Sequence, residues 1–406
     1  CNRNNTEQHL NMYPNLYFAF QDLLGLDWPF LKLVNSFGFF VAMAFISASF
    51  ILKSEFIRLT KSGAFSPSTS QNIIGKPATP LEILSQAFIG FIFGWKFLYL
   101  AIHAGTLFNG STLPQAHLFS SEGSVFMGLA LAVLLGGWRW YEGRKNALPS
   151  PKTETIEMPP YEHVGGILTV AAVGGVLGAK LFHLIEYPDQ FIAFFQEPSL
   201  NAFIGGLTIY GGLIVGGLSV YLYSRHYGLK FLNVADASSP ALMLGYGIGR
   251  IGCQVSGDGD WGIPNTHPQP NWLSWLPEWT WSYHFPNNVN GVGRFISESD
   301  PWAIYPGYGT CLGTGVYPTS LYETTMAVIL FAILWKLRTR FSTAGLLFAT
   351  YLMLNGIERF FIEKIRVNTT FDFIGITMTQ AELIAVLIFI GGATLFYFLK
   401  RSRSNN

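Results

Sequence analysis

The sequence predicts an all-α polytopic membrane protein with about nine transmembrane helices. Half of the 406 residues are apolar and only 12% are charged, whereas a soluble domain usually has about a quarter of its residues charged. Apolar runs recur at close to the ~20 residues that a helix needs to cross the hydrocarbon core. Basic residues are concentrated in alternate loops, as the positive-inside rule requires of a chain that crosses a membrane repeatedly. The net charge of +1 predicts nothing about nucleic acid.

Nine apolar stretches are close to the length of a span. They lie near 30–52, 83–104, 124–141, 164–186, 207–224, 234–253, 318–337, 344–363 and 378–399. The stretch at 234–253 is the least apolar, because it contains Asp236, Ser238, Ser239 and Pro240.

The distribution of Lys and Arg predicts the N-terminus outside and the C-terminus inside. Loops 105–123 and 187–206 have no Lys or Arg, and 254–316 has only Arg294. The alternate loops contain Lys53, Arg58, Lys61, Lys76, Arg139, Arg144, Lys145, Lys152, Arg225, Lys230, Lys336, Arg338, Arg340, Lys400, Arg401 and Arg403. One short loop, with Lys364 and Arg366, departs from this pattern.

The predicted organisation has six parts. They are an extracytoplasmic segment 1–29, a first span 30–55, an insertion 56–160 with two extra spans, core spans 161–253, an extracytoplasmic lobe 254–316, and the last three spans with a cytoplasmic tail 317–406. The lobe has six of the eleven Trp residues, and Trp favours the membrane–water interface. This composition predicts an irregular lobe against the outer leaflet, either as an anchor or as a lid.

The chain starts at Cys1, while Met12 begins a segment that reads like a natural start. We therefore interpret 1–11 as an upstream segment; the alternative is a processed lipoprotein with an acylated Cys1. Cys253 and Cys311 fall on the outside, where a disulfide can form, and the sequence leaves a bridge and free thiols equally open. No cysteine has metal-ligand spacing, so no metal site is predicted.

Charged residues inside spans are the candidate functional residues, because each costs at least ~2.5 kcal/mol to insert and needs a partner or a wet cavity. They are Lys96, Lys180, Asp236, Arg250, Glu323, Glu358, Arg359 and Glu363. Arg250 lies among seven glycines in 245–262. Glycine allows close approach of a ligand or a helix, and Arg offers a fork of donors to phosphate. The alternative is a packing face whose arginine reaches outward.

Three further patterns have both a structural and a functional interpretation. Arg359, Glu363 and Arg366 share one helix face, either as an ion pair or as part of a site. Tyr210, Gly211 and Gly212 open a span, where small residues alone favour a packing seam. The third pattern is the segment 317–323, in which Pro318 and Glu323 suit a first helical turn.

In order, these segments resemble the phosphatidylglycerol–prolipoprotein diacylglyceryl transferases over 164–400 and the first span. The family signature Gly-Arg-x-Gly-Asn-x-x-Asn-Gly-Glu is similar to 249–258, His-Gly-Gly-Leu to 210–213, and His-Pro-x-Gln-Leu-Tyr-Glu to 317–323. Arg-x-x-x-Glu is similar to Arg359–Glu363 and Met-x-Gln to 378–380, and Lys180 stands where the family's second span has Arg.

Departures from the family pattern indicate a divergent paralog. Tyr210 and Tyr317 replace histidines, Cys253 and Ser256 replace asparagines, Ser320 replaces a glutamine, and Phe37 replaces a tyrosine. The insertion adds an even number of spans, so the family topology is preserved.

The resemblance implies transfer of a diacylglyceryl group from phosphatidylglycerol to a lipobox cysteine of a prolipoprotein. The transfer would occur at the outer face of the bacterial cytoplasmic membrane, without metal or cofactor. It implies that Arg250 and Arg359 hold the phosphate and that Asp258 and Glu363 orient them. The implied catalytic residues are Arg250, Arg359, Tyr210 and Glu363. The implied substrate-binding residues are Gly211, Gly212, Gly249, Gly252, Ser256, Asp258, Tyr322, Glu323 and Lys180.

Tyr210 leaves the general base open, because a phenol with a pKa near ~10 accepts a proton poorly at neutral pH. The thiol could ionise beside the arginines without a base, or the acceptor could differ. A third alternative is a lipid-binding scaffold subunit of an envelope complex without turnover. The costly arginines favour the transferase over the scaffold, and the lack of an inverted repeat disfavours a transporter.

Overall fold

The computed structural model of the protein describes residues 11–103, 122–150, 152–189, 206–373 and 375–404, which are mainly helical. The first helices are α1 (Leu16–Leu24), α2 (Ser36–Lys61), α3 (Pro80–Ile92) and α4 (Tyr99–Ile102), with a π-helical segment Phe93–Leu98 joining the last two. The others are α5 (Val125–Lys145), α6 (His163–Glu186), α7 (Ile209–His226), α8 (Phe231–Ser256), α9 (Thr319–Leu337), α10 (Leu346–Glu363) and α11 (Gln380–Ser404).

Three two-stranded antiparallel sheets accompany the helices in the described residues. They pair β1 (Ser68–Ile74) with β2 (Lys152–Met158), β3 (Arg294–Phe295) with β4 (Thr310–Cys311), and β5 (Thr370–Phe373) with β6 (Ile376–Thr379). Short 3₁₀ turns lie at Pro29–Leu33, Pro160–Glu162, Asn271–Leu273 and Glu278–Thr280.

Five described helices are long and apolar enough to cross a membrane. They cover Ser36–Lys61, Pro80–Ile102, Pro160–Glu186, Thr319–Leu337 and Gln380–Ser402. The mainly helical membrane class is therefore confirmed. The number of nine spans and the orientation stay predictions, although each of the nine predicted stretches overlaps a long helix.

The chain divides into two compact units. The first contains 1–65, 163–169 and 220–406, and the second contains 66–162 and 170–219. The predicted insertion 56–160 thus falls mostly in the second unit, which also contains most of α6 and the first part of α7.

In the second unit, α3 and α5 form a helical hairpin with small residues at the contact. A Cβ on Gly90 would lie 2.6 Å from the Leu131 carbonyl oxygen, and one on Gly94 would lie 2.2 Å from that of Met127. Lys96 is 4% exposed, and its Nζ donates to the Glu122 carbonyl oxygen at 2.8 Å. This lysine therefore ties the π-helical segment to the residues that precede α5.

The helices α6 and α7 meet at a similar glycine contact in the second unit. A Cβ on Gly178 would lie 2.4 Å from the Gly211 carbonyl oxygen, and the reverse distance is also 2.4 Å. A Cβ on Gly212 would lie 3.1 Å from the Gly175 carbonyl oxygen. Gly211 and Gly212 thus form the packing seam that small residues favour.

In the first unit, the glycine-rich helix α8 packs between α2 and α9. A Cβ on Gly252 would lie 3.0 Å from Phe40 Cβ of α2, and one on Gly247 would lie 3.0 Å from Ala327 Cβ of α9. The glycines on opposite faces of α8 therefore allow two neighbouring helices to approach closely.

The segment between α8 and α9 folds together with residues 11–35. Met12 is 1% exposed and packs with Tyr283, Phe285, Leu312 and Val316. The backbone of the N-terminal segment is also tied to the end of α8, because Tyr13 N–H donates to the Val255 carbonyl oxygen at 2.8 Å. The sequence did not predict this association, since nothing local links the two segments.

A buried glutamate ties α2 to the end of α9. Glu55 is fully buried and pairs with Arg58 at 2.8 Å and with Arg338, which follows the last residue of α9. The Arg338 guanidinium stacks on the Trp335 ring at 3.4 Å. Because Glu55 joins α2 to an arginine that Trp335 holds at the end of α9, it acts as a structural brace.

Candidate functional site: an arginine cluster

The loop after α8 is positioned by backbone pairing with two other segments. Gly257 ends α8 with a left-handed conformation (φ 62°), as helix C-caps favour. Gly262 N–H then donates to the Tyr317 carbonyl oxygen, and Ile263 N–H donates to that of Ile365, both at 2.8 Å. A Cβ on Gly262 would lie 2.5 Å from the Ile365 carbonyl oxygen, so only glycine fits between these backbone segments.

Two hydroxyl groups fix the backbone of Asp260 inside this loop. Thr319 Oγ1 and Ser320 Oγ donate to the Asp260 carbonyl oxygen at 2.7 and 3.0 Å. The loop after α8 is thereby held against the first turn of α9.

Glu323, on the second turn of α9, lies at the centre of three arginines. Its carboxylate is fully buried and lies 3.2 Å from Arg250 Nε, 3.4 Å from Arg359 Nη1 and 3.1 Å from Arg366 Nη1. The three arginines come from α8, from α10 and from the turn after α10. A buried carboxylate is stable only when it is paired in this way.

Asp260 bridges two of the same arginines from the loop side. Its Oδ2 contacts Arg250 Nη1 and its Oδ1 contacts Arg366 Nη2. The Asp260 side chain is 33% exposed, whereas Arg250 and Arg366 are 11% exposed. Asp260 is therefore the member of the cluster that is most open to its surroundings.

Glu363 holds the third arginine from the end of α10. Its Oε2 lies 2.9 Å from Arg359 Nη2, one helical turn earlier. Glu363 Oε1 also accepts hydrogen bonds from Asn368 Nδ2 and, at 3.0 Å, from Thr379 Oγ1. The Arg359 side chain is 25% exposed while Glu363 is fully buried. The guanidinium is therefore paired on its buried side and remains partly accessible.

Tyr246 connects Glu323 to Glu358, a further glutamate of α10 that lies five residues before Glu363. Tyr246 Oη donates to Glu323 Oε1 at 2.9 Å and lies 3.3 Å from Glu358 Oε1. Tyr246 is one turn before Arg250 on α8, whose guanidinium lies 5.3 Å from the centre of the Tyr246 ring. This contact fixes the face of α8 that carries Arg250.

The loop carboxylates respond differently to their surroundings. Burial alone would raise the pKa of Asp260, but Arg250 and Arg366 hold it below its ordinary value. Burial raises the pKa of Asp258, and the nearby Asp260 charge raises it further. Asp260 is therefore ionised over a wider pH range than Asp258.

The structure brings together four of the predicted site residues, Arg250, Arg359, Glu323 and Glu363. The prediction for Asp258 differs from the structure. The carboxylate paired with Arg250 is Asp260, and Asp258 accepts a hydrogen bond from Asp260 N at 3.4 Å. The backbone of the loop 257–261 thus brings Asp260, rather than Asp258, to the arginine.

Other predicted site residues of the first unit have structural contacts. Ser256 is fully buried, and its hydroxyl donates to the Gly252 carbonyl oxygen at 2.8 Å. Tyr322 Oη donates to the Thr280 carbonyl oxygen at 2.8 Å, which ties α9 to the preceding lobe. Gly249 has no described atom within 4 Å of a built Cβ. Their roles in substrate binding stay predictions.

Lys180 and Tyr210 lie in the second unit, with Gly211 and Gly212. Lys180 is 5% exposed on α6, and Tyr210 is partly exposed at the start of α7. Their functional roles also stay predictions.

Sequence reasoning did not assign Asp260, Arg366 or Tyr246 to the site. Arg366 had a signal, because it follows Arg359 and Glu363 at helical spacing. Tyr246 precedes Arg250 by four residues, and this spacing on α8 could have identified it. Asp260 depends on the loop backbone, which the sequence alone does not define.

The Cys253 thiol lies beside the cluster. Cys253 and Cys311 are buried free thiols, so the alternative of a bridge is not what the structure shows. Ligand atoms of Cys253, Asp258 and Asp260 lie within 4.8 Å of one another. Arg250 Nη1 contacts both Asp260 and, at 3.8 Å, Cys253 Sγ, and this guanidinium supplies the positive charge that a cation would bring.

Residues 124–398 match the prolipoprotein diacylglyceryl transferase family. The chain belongs to this family. A phosphatidylglycerol–prolipoprotein diacylglyceryl transferase of Corynebacterium glutamicum is 30% identical over 241 residues, covering 58% of this chain and 68% of that protein. Those of Bifidobacterium adolescentis and Bordetella avium are 25% and 26% identical over 284 residues, covering 68% of this chain and 74% and 89% of those proteins.

The resemblance predicted from the motifs is thereby confirmed. The matched region begins at the N-cap of α5 and contains all three arginines and the carboxylates that pair with them. It also includes part of the predicted insertion 56–160, whose limits stay a prediction.

Proposed function

We propose that this chain transfers the diacylglyceryl group of phosphatidylglycerol to the thiol of a lipobox cysteine in a prolipoprotein. Membership of the prolipoprotein diacylglyceryl transferase family supports this activity. The observation that carries it is the convergence of three arginines on buried Glu323, at one end of a bundle of apolar helices. Such a costly arrangement of charge in a membrane chain indicates an anionic ligand.

The arginines suit the phosphate of a phosphodiester lipid. The acceptor thiolate attacks the glycerol carbon that carries the phosphate, a C–S bond forms, and the C–O bond to the phosphate breaks. Negative charge on the departing glycerol phosphate increases during this step, and fixed guanidinium groups lower the barrier by stabilising it. Arg250 and Arg359 hold the phosphate in this proposal, while Glu323 and Glu363 orient them.

The proposed topology has nine spans, the N-terminus outside and the C-terminus inside. It places the arginine cluster and the Trp-rich lobe 254–316 at the outer face of the bacterial cytoplasmic membrane. The charge distribution of the loops supports this orientation. Secreted precursors emerge at that face, so the acceptor cysteine and the lipid headgroup would meet there.

Removal of the proton from the acceptor thiol is the step at which this chain departs from the family pattern. Tyr210 stands where that pattern has histidine. A thiol with a pKa of ~8.5 loses its proton more readily beside positive charge. The arginine cluster therefore supports ionisation of the acceptor thiol next to the phosphate. Tyr210 is included among the catalytic residues only because it occupies the position of the family's histidine.

The test is a reconstitution of the full chain in vesicles that contain phosphatidylglycerol labelled in its acyl chains, with a lipobox peptide as acceptor. A peptide with serine in place of the lipobox cysteine is the matched control. Label in the cysteine peptide alone is expected. Release of glycerol phosphate without labelled peptide would contradict the proposed acceptor. Bound lipid without any release of glycerol phosphate would favour the scaffold alternative. The family assignment does not favour that alternative.

A further inference from the structure

In the described structure, the arginine cluster is already filled by carboxylates. Two nitrogens of each guanidinium lie within 4 Å of a carboxylate oxygen: Arg250 reaches Asp260 and Glu323, Arg366 reaches the same pair, and Arg359 reaches Glu323 and Glu363. An incoming phosphate needs the same donors. One of these carboxylates must therefore give way when an anion binds in the bidentate manner that arginine favours.

Only Asp260 is placed to do so. Glu323 and Glu363 are fully buried and lie on helices, so moving either would leave a charge without a partner in a low-dielectric region. The Asp260 side chain is 33% exposed. Its carbonyl oxygen is held by Thr319 and Ser320, so the carboxylate can rotate outward while the loop stays in place.

The charge balance supports the same exchange. Within the salt-bridged set, three arginines pair with three carboxylates, so these six charges balance while Asp260 is in contact. When Asp260 rotates away, one positive charge is left over. A phosphodiester carries one negative charge and restores neutrality, which matters where water screens poorly.

We propose that Asp260 is an internal anion that occupies the phosphate site of the empty protein and exchanges with the phosphate group of the ligand. Its return to Arg250 and Arg366 displaces the phosphomonoester product. Asp260 thus weakens the binding of free phosphate compounds and promotes product release. This inference rests on the proposed function for the identity of the ligand, but the exchange itself concerns only the phosphate site.

The test measures binding of sn-glycerol 1-phosphate to the full chain in detergent by titration calorimetry at constant ionic strength. Asp260→Asn is expected to bind about tenfold or more tightly than the wild type, because the competing charge is gone. Asp300→Asn is the matched control, since Asp300 pairs with Arg294, which is 47% exposed and outside the cluster. It should bind like the wild type.

Equal or weaker binding by Asp260→Asn would overturn the proposal, because it would mean that Asp260 only holds the arginines in position. Asp260→Glu keeps the charge and should not bind tighter than the wild type; tighter binding there would also overturn the proposal. Thermal unfolding of each variant verifies that it is folded. Tighter binding by Asp260→Asn without transfer to any peptide by the wild type would support the exchange and remove the proposed function. Transfer by the wild type without tighter binding by Asp260→Asn would support the proposed function and remove the exchange.

Discussion

Glu323 and Glu55 are two fully buried glutamates in the same unit, and each is surrounded by arginines. Glu323 lies on the second turn of α9, and Glu55 pairs with Arg338 at the other end of that helix. The fifteen-residue separation of Glu323 and Arg338 corresponds to ~22 Å along a helix. The two clusters therefore offer a comparison of similar chemistry at opposite ends of one element.

The difference between them lies in what else the arginines contact. At Glu55, one arginine comes from the same helix, and the other is held by the Trp335 ring and carbonyl oxygen. At Glu323, the arginines come from three segments and share a partly exposed loop carboxylate, Asp260. A buried glutamate with arginines is therefore a brace in one place. In the other, an exchangeable partner makes it a candidate binding site.

Removal of an arginine separates the two clusters most strongly. Arg250→Ala and Arg359→Ala should each lower transfer to a lipobox peptide by about a thousandfold, because each loses a positive charge that stabilises the leaving phosphate. Arg338→Ala, at the Glu55 end, should retain transfer within about threefold once expressed per folded protein, because it lies ~22 Å along α9 from Glu323. Initial rates in vesicles of equal lipid content measure this. Equal losses in all three variants would remove the distinction between site and brace.

Neutralising each glutamate sharpens the same distinction. Glu323→Gln should lower the free energy of unfolding by about 3 kcal/mol, since three guanidinium groups lose their shared buried partner. Glu55→Gln should cost a similar amount for the same reason. Unfolding in mixed micelles gives the stability, and transfer per folded protein gives the activity. Only Glu323→Gln should lose activity; an inactive but folded Glu55→Gln would contradict the brace.

Two glycines of α8 divide packing from binding near the arginines. Gly249→Ala meets no described atom within 4 Å, so its stability should stay within about 1 kcal/mol of the wild type. Transfer should fall about tenfold if the predicted contact of Gly249 with substrate holds. Gly252→Ala pushes on Phe40 and should mainly lower stability, by about 1 kcal/mol. Thermal midpoints and rates together measure both effects. A loss of stability in Gly249→Ala and a loss of transfer in Gly252→Ala would instead place the substrate on the other face of α8.

The smallest expected effect is a pH dependence through Asp258. Its pKa is raised by burial, so it gains a proton at a higher pH than an ordinary aspartate as the pH falls. Losing that negative charge should strengthen the binding of glycerophosphoglycerol, a phosphodiester whose own charge stays constant, by about threefold as the pH falls from neutral into the acidic range. Titration calorimetry measures this, and Asp258→Asn should show a flatter profile. A profile unchanged by this substitution would place Asp258 outside the field of the arginines.

The sequence predicted the positions of the helices well, because the length of an apolar stretch determines them. Arg250, Arg359, Glu323 and Glu363 followed from helical spacing and from the family resemblance. The sequence did not predict that Asp260 rather than Asp258 reaches Arg250, since that contact depends on backbone pairing of Gly262 with Tyr317 and Arg366. The burial of Met12 in the lobe and the π-helical segment also depend on contacts between distant parts of the chain.

The most direct test of the account is whether Arg250 and Arg359 act on one phosphate. The Arg250→Ala/Arg359→Ala double variant should transfer diacylglyceryl groups about as slowly as either single variant, because groups that act as a unit lose their effect together. Rates per folded protein, with the Arg338→Ala variant in parallel, provide the measurement. Losses that multiply in the double variant would mean that the two arginines act independently, and this would contradict a single phosphate site.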